Sequence, residues 1–162
     1  APHPRLAALA LGLNAAVALA LPVVMVAGFG WRAPSGDLLL KRFVGGQALA
    51  TRAFEEAATA GVGTIVAADR NILAALTYAA RTGGPELRAM PEPAPVPHHY
   101  ALRYPLAPAA DPVLEIAFAG AARPCRDGSA PDERARWRAG PGWAEGREIV
   151  ARLAPATCWA AN

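Results

Sequence analysis

Residues Leu6 to Phe29, LAALALGLNAAVALALPVVMVAGF, run for two dozen positions without a formal charge. As a helix rising about 1.5 Å per residue the stretch reaches roughly 36 Å, enough to cross a hydrocarbon core of about 30 Å with some tilt. Nothing else in the chain resembles it. A soluble helix would carry a polar stripe, and the hydrophobic part of a signal peptide spans about 7–15 residues behind a basic leader. Here the run is longer and only Arg5 precedes it. The stretch therefore reads as a transmembrane helix within residues 1–30, with residues 31–162 as one soluble domain held at the bilayer.

Two residues interrupt the helix's uniformity. Asn14 either bonds its own backbone or pairs with a neighbouring helix, a bond worth about 0.6 kcal/mol in lipid. Pro22 removes one backbone donor and is expected to kink the helix, which membrane helices tolerate.

The chain has 162 residues, 54% of them hydrophobic, and a net charge of +3. Once the helix is set aside, enough chain remains for one core. One lysine, Lys41, stands against fifteen arginines. Through Thr82 there are seven basic and four acidic residues, and from Gly83 onward nine of each. No continuous basic face follows from this, so nucleic acid is not expected as a partner. Arg32, Lys41 and Arg42 after the helix outweigh Arg5 before it, which taken alone favours a cytoplasmic C-terminal side. Cys125 and Cys158 leave two readings open, two unrelated thiols or a disulfide. A disulfide would add about 3–4 kcal/mol in the chain-entropy model and favour the periplasm. No CxxC and no histidine at ligand spacing accompany them, so no zinc site is expected.

Beyond the helix, GWRAPSG (30–36) is a turn-rich exit, with Trp31 and Arg32 suited to the membrane interface. Asp37 to Phe43 begins a short helix that Gly45-Gly46 interrupts. Gln47 to Ala60 favours a helix with Leu49, Ala53 and Ala57 on one face, stopped by Gly61 and Gly63. Thr64 to Ala68 reads as a buried strand. Asp69-Arg70-Asn71 then opens a second helix through about Arg81 with Ile72, Leu76 and Ala80 along one face, N-capped by Asp69 or Asn71. Glu86 to Met90 supplies another strand. These short alternations predict an α/β fold, a small sandwich domain around a mostly parallel sheet. PEPAPVP (91–97) runs extended and delivers His98-His99-Tyr100. Val113 to Phe118 is a strand. Ala121 to Gly146 reads as a solvated polar excursion, and Arg147 to Leu153 as an edge or half-buried strand.

Few residues stand out chemically. Asp69 lies at the carboxyl end of a strand, where α/β sheets place ligands, but a helix cap explains it better. Gly61-Val62-Gly63 precedes its strand and lacks the dinucleotide pattern. His98, His99 and Tyr100 form the densest cluster. Adjacent residues on an extended segment face opposite ways, which favours a structural or substrate-edge role over catalysis. The arginines between Arg123 and Arg138 are interspersed with Asp127, Asp132 and Glu133, as on a solvated loop. Asp69, His98, His99 and Tyr100 are the candidates for ligand contact. No catalytic, cofactor-binding or metal-ligating residue is expected.

The succession of an apolar helix, a short exit, TIVAADRNILAALTYAAR (64–81), a proline bridge and HHYALRYPL (98–106) resembles the C-terminal end of bacterial polytopic glycosyltransferases of family 39. These are relatives of dolichyl-phosphate-mannose protein mannosyltransferases. Members carry a strand ending in Val-Ala-Asp, a helix with a Leu-Tyr-Tyr-like end and an Asn-His-Tyr-Glu-like segment before Pro-Leu. The matching positions are Val66-Ala67-Ala68-Asp69, Leu76-Thr77-Tyr78 and His98-His99-Tyr100-Ala101, with Ala101 where an acid is expected. The similarity covers Leu6 to Leu106 and does not extend past Arg123. It implies an integral-membrane enzyme that moves a sugar from a polyprenyl-phosphate donor. The chain would be its C-terminal piece: a last transmembrane helix packed against neighbouring helices, then an accessory periplasmic domain at the inner membrane. The family's catalytic acid lies near the start of the polytopic region, so none is carried over and the piece is expected to be inactive alone. The competing reading is a free-standing, membrane-anchored periplasmic binding or structural module; a cytoplasm-facing module is a third.

Overall fold

The computed structural model describes residues 4–91, 99–107 and 112–159. It divides into two compact units, one ending at Val44 and the other beginning at Gly45.

The first unit is built on helix α1, Pro4–Ala27. Its most apolar part, Pro4–Val24, has a mean hydropathy of 2.2 with none of its window buried. Leu6, Leu9, Leu11, Leu13, Val17, Leu19, Leu21, Val23 and Val26 are all exposed. In water each would forgo about 1.5–3 kcal/mol of burial. Length and composition suit a membrane span, whether anchor or signal sequence. The Asn14 side-chain amide donates to the Ala10 carbonyl one turn back (2.9 Å), so the polar group is satisfied inside its own helix. A 3-10 turn at Gly28–Gly30 ends the helix. The chain then doubles back through an antiparallel bridge between Arg32 and Leu38, with Gly36 in left-handed conformation at the tip. A second 3-10 turn, Lys41–Phe43, stands where the sequence suggested a short helix.

The second unit opens with α2, Gly46–Ala60, which buries Leu49, Ala50, Ala53 and Ala57. Gly61 ends it in left-handed conformation, its amide donating to the Ala57 and Ala58 carbonyls. The preceding residue, Gly45, has φ +92°, and a Cβ there would lie 2.8 Å from the Pro141 carbonyl oxygen. Gly45→Ala therefore combines left-handed strain with a backbone clash and is expected to cost about 2–3 kcal/mol, read from the urea unfolding midpoint.

β1, Thr64–Ala67, is buried throughout. Asp69 caps α3, Arg70–Ala79, which turns Ile72, Leu73 and Leu76 inward and tightens into a 3-10 turn at Ala80–Thr82. β2 is Glu86–Ala89, α4 is His99–Arg103, and β3 is Val113–Phe118, buried at every position. β4, Asp132–Arg138, and β5, Glu148–Ala154, complete a five-stranded sheet in the order β2-β1-β3-β5-β4.

The fold is α/β, and the sheet is mixed rather than mostly parallel. β1 pairs parallel with β2 and β3. β5 runs antiparallel to both β3 and β4. The cause is connection length. Parallel neighbours need a long crossover, supplied between β1 and β2 by α3, whereas the short loop 139–147 between β4 and β5 permits only a hairpin. That hairpin sets β5 between β3 and β4, so β5 is interior and the edges are β2 and β4. β4 also replaces part of the polar excursion expected over 121–146. Only Ala135 and Trp137 of this strand reach the core.

The two faces of the sheet are covered differently. On one, Ile65, Ala67, Leu114, Ile116, Phe118, Ile149 and Ala151 meet α2 and α3 in the main core. At its end Trp143 meets Phe118 edge-on (5.8 Å between centroids), and the Arg147 guanidinium lies over the Phe118 ring. On the opposite face Val66, Val113 and Ala154 meet Met90, Leu106, Ala156, Trp159 and the Cys125–Cys158 disulfide. No helix longer than a 3-10 turn contributes to this second cluster among the described residues.

Candidate functional site

The carboxyl end of the parallel strands is where the sequence put its ligand contacts. Asp69 stands two residues past the end of β1. Its carboxylate Oδ1 accepts from the Asn71 amide (2.7 Å) and the Ile72 amide (3.1 Å), satisfying two donors that the first turn of α3 leaves open. Asp69 thus serves as a helix cap in this structure. Asp69→Ala is expected to lower stability by about 1 kcal/mol, with Asp69→Asn retaining most of it, as measured by thermal unfolding.

His99 and Tyr100 begin α4 instead of continuing an extended segment, and His98 lies outside the described residues. The run from His99 to Tyr104 contains no proline, so a helical turn forms there before Pro105 stops it. In one turn neighbouring side chains diverge by about 100° rather than opposing each other. The two rings stand 4.0 Å apart at 39°, and Tyr100 packs against the helix-side core. The segment after α4 ties back to β2: the Ala89 amide donates to the Tyr104 carbonyl (2.7 Å) and the Leu106 amide to the Ala89 carbonyl (3.1 Å). Since Ala89 pairs with Ala67, Asp69 and α4 belong to the same end of the sheet.

Beside the edge of β2 lies an open groove of about 500 Å³ lined by Thr77, Arg81, Glu86, Leu87, Arg88 and Tyr104 among others. Neither Asp69 nor His99 lines it. A second groove of about 370 Å³ borders the disulfide, with Arg126, Asp127, Ser129 and Asp132 on its wall.

The most unusual chemistry is elsewhere. Across one row of the sheet the residues in register are Arg88 on β2, Val66 on β1, Glu115 on β3, Arg152 on β5 and Glu133 on β4. Directly paired residues share a face, so a charged row crosses the sheet on the disulfide side. Glu115 is 1% exposed. Arg152 Nε donates to Glu115 Oε2 (2.6 Å), and a second Arg152 nitrogen donates to the Arg123 carbonyl (2.7 Å). Arg123 in turn reaches the Pro91 carbonyl (3.1 Å). Glu115 Oε1 and Arg88 Nε are buried without a hydrogen-bond partner. Arg123 is thus half-buried and tied into this network by its carbonyl and its guanidinium, rather than lying free on a solvated loop. At the open end of the row, Arg136 bridges Glu133 and Glu148.

Burial pushes the Glu115 carboxyl above its ordinary value of 4.5, outweighing the pull of Arg152 and the smaller one of Arg123. The exposed carboxylates Asp127 and Glu133 go the other way, held down by hydrogen bonds from Ser129 and Arg136 respectively. For a raised folded value the stability contributed is full below 4.5 and is lost as pH rises through the folded value. The difference in unfolding midpoint between Glu115→Gln and wild type is therefore expected to grow in the variant's favour as pH rises from 4.5. Subtraction cancels the opposite contributions of Asp127 and Glu133. A difference independent of pH would overturn the assignment.

No family model, curated protein or solved structure matches this chain. Among the described residues no group of three or more His, Cys, Asp or Glu side chains is poised to hold a metal.

The sequence missed Glu115 and Arg152 as a site because each looks ordinary locally. One signal was present: a lone acid inside the otherwise apolar VLEIAF (113–118) and a lone arginine inside REIVARL (147–153). Two such intrusions in neighbouring strands point to a pair.

Proposed function

We propose that the chain is the membrane-anchored accessory domain of an enzyme that transfers a sugar from a polyprenyl-phosphate donor. α1 is the last helix of its polytopic part, and the α/β unit stands on the periplasmic side of the inner membrane. The carrying observation is one polypeptide that joins an unburied, lipid-length helix to an α/β unit closed by a disulfide. Disulfides persist in oxidising compartments, which supports the outer side against the arginine count flanking α1. Asp69 at the end of β1 and the His99–Tyr100 turn, two of the segments on which the family likeness rests, stand at one end of the sheet, as an acceptor-facing surface would need.

A second reading has its own support. Asn14 satisfies itself on Ala10, so α1 makes no polar demand on neighbouring helices and suits a lone anchor.

The test uses membranes from cells carrying the complete gene, with and without a deletion of 45–159, supplied with radiolabelled polyprenyl-phosphate hexoses. Under the transferase reading the complete protein transfers label and the deletion loses most of that transfer. Transfer equal in both, or absent in both, overturns it. In the same cells a membrane-impermeant thiol reagent is expected to reach Cys125 and Cys158 only after reduction. Labelling restricted to lysed cells would put the domain on the other side.

A further inference from the structure

The exit from α1 is folded, and it sorts its side chains in a way that a plain linker would not. After the 3-10 turn at Gly28–Gly30 the chain reverses: the Leu39 amide donates to the Trp31 carbonyl and the Ala33 amide to the Asp37 carbonyl, both at 2.8 Å. Arg32 Nη1 donates to the Gly36 carbonyl (2.7 Å), closing the tip. Leu40 packs back on Gly28, where an added Cβ would meet its Cδ1 at 3.4 Å. Given the Arg32–Leu38 bridge, Trp31 and Leu39 are the next antiparallel pair and share a face. Leu38 is buried, whereas Trp31, Leu39 and Phe43 are 48%, 58% and 66% exposed.

Three basic residues, Arg32, Lys41 and Arg42, accompany these three large apolar side chains within thirteen positions. The single acid of the segment, Asp37, is held by Ser35 and Lys41. A globular surface gains nothing from exposing tryptophan, leucine and phenylalanine together. A surface at headgroup depth does, because aromatic rings seat at the interface while arginine and lysine reach phosphate above buried stems. The turn begins a few residues beyond Val24, the end of the most apolar window, which sets that depth.

We infer that residues 31–43 form a preorganised foot that binds anionic phospholipid headgroups. Trp31, Leu39 and Phe43 seat in the interface, and Arg32, Lys41 and Arg42 engage phosphate. The inference rests on the membrane reading of α1. The foot is a second attachment beyond the span itself, and folded attachments restrict motion more than a flexible tether does.

The experiment reconstitutes the full chain in vesicles of phosphatidylcholine alone or with about one-third phosphatidylglycerol, using lipids brominated near the headgroup as contact quenchers. Fluorescence quenched in wild type but not in Trp31→Phe reports Trp31 alone, since Trp137, Trp143 and Trp159 remain in both. Trp31 is expected to be quenched, and more strongly when phosphatidylglycerol is present. The variant R32Q/K41Q/R42Q is expected to lose that increment while keeping the quenching seen in phosphatidylcholine. Trp31 that stays unquenched in a chain floating with the vesicles overturns the foot and leaves the span intact. An increment unchanged in R32Q/K41Q/R42Q overturns the headgroup contact. A chain that does not float at all overturns the span and the foot together.

Discussion

Replacing Arg152 by alanine is expected to lower the stability of the α/β unit by about 3–5 kcal/mol above neutral pH, because Glu115 would remain charged and unpaired inside the sheet. The side chain does two things at once. It neutralises a carboxylate that is 1% exposed, and it satisfies the Arg123 carbonyl at the start of the segment covering that face. The expected loss is pH-dependent. As pH falls through the raised folded value, which loss of Arg152 raises further, Glu115 takes up a proton, and the penalty shrinks toward that of an unfilled carbonyl and a small cavity. A paired replacement, Glu115→Leu with Arg152→Met, removes both charges while keeping volume. It is expected to be markedly more stable than Arg152→Ala alone, since buried ion pairs are often no better than apolar residues of similar size. Urea unfolding of the full chain in detergent, followed by the near-ultraviolet signal of its buried aromatics, measures all three. Equal losses for the single and paired variants would show that Arg152 matters only through the Arg123 carbonyl.

Reducing the Cys125–Cys158 bond, or replacing both cysteines by serine, is expected to cost about 3–4 kcal/mol through the freed entropy of the loop between them. The two residues are 33 apart in sequence, with Cα atoms 4.5 Å apart. The consequence is local as well as global. The bond and its neighbours Trp159, Met90 and Leu106 form the cover over Val66 and Val113, and among the described residues no long helix stands in for them. The Arg126 amide also donates to the Cys158 carbonyl (2.9 Å), so the two strands of the cover separate together. Proteolysis is expected to start within 119–131 in the reduced protein and to spare α2 and α3. Wild type should respond to reductant in both stability and cleavage pattern, whereas the double serine variant should respond in neither.

Some of this fold could be read directly from its residues, and the rest was hidden for definite reasons. α2, β1, α3 and β3 announce themselves because each sets an apolar face against one core: the expected inward residues Leu49, Ala53, Ala57, Ile72 and Leu76 are buried, whereas Ala80 is half-exposed because the helix tightens into a 3-10 turn there. β4 was invisible because an edge strand needs little apolar surface. In DERARWR only two residues face the core, and charges that protect a free edge read like loop. The interior position of β5 was hidden by Arg152, whose polarity imitates exposure until its partner 37 residues away is known. For the same reason Glu115 passed as one unit in an apolar strand. Asp69 could be read as a cap because the N-terminal signature is local. The direction of β5 was beyond local reading, since a parallel or antiparallel neighbour is decided by the connection that precedes it.

The placement of β5 bears on biosynthesis. It follows every other strand of the sheet in sequence yet lies between two of them, and among the described residues β4 pairs with β5 alone. As the polypeptide emerges from the ribosome, β4 must wait unpaired until residues 148–154 have left the exit tunnel. The nascent sheet can form as β2-β1-β3, but its assembly finishes in a single late step. Released chains truncated before Glu148 should therefore be digested by protease throughout the segment after Phe118, with resistance there arising only when residues 148–154 are present.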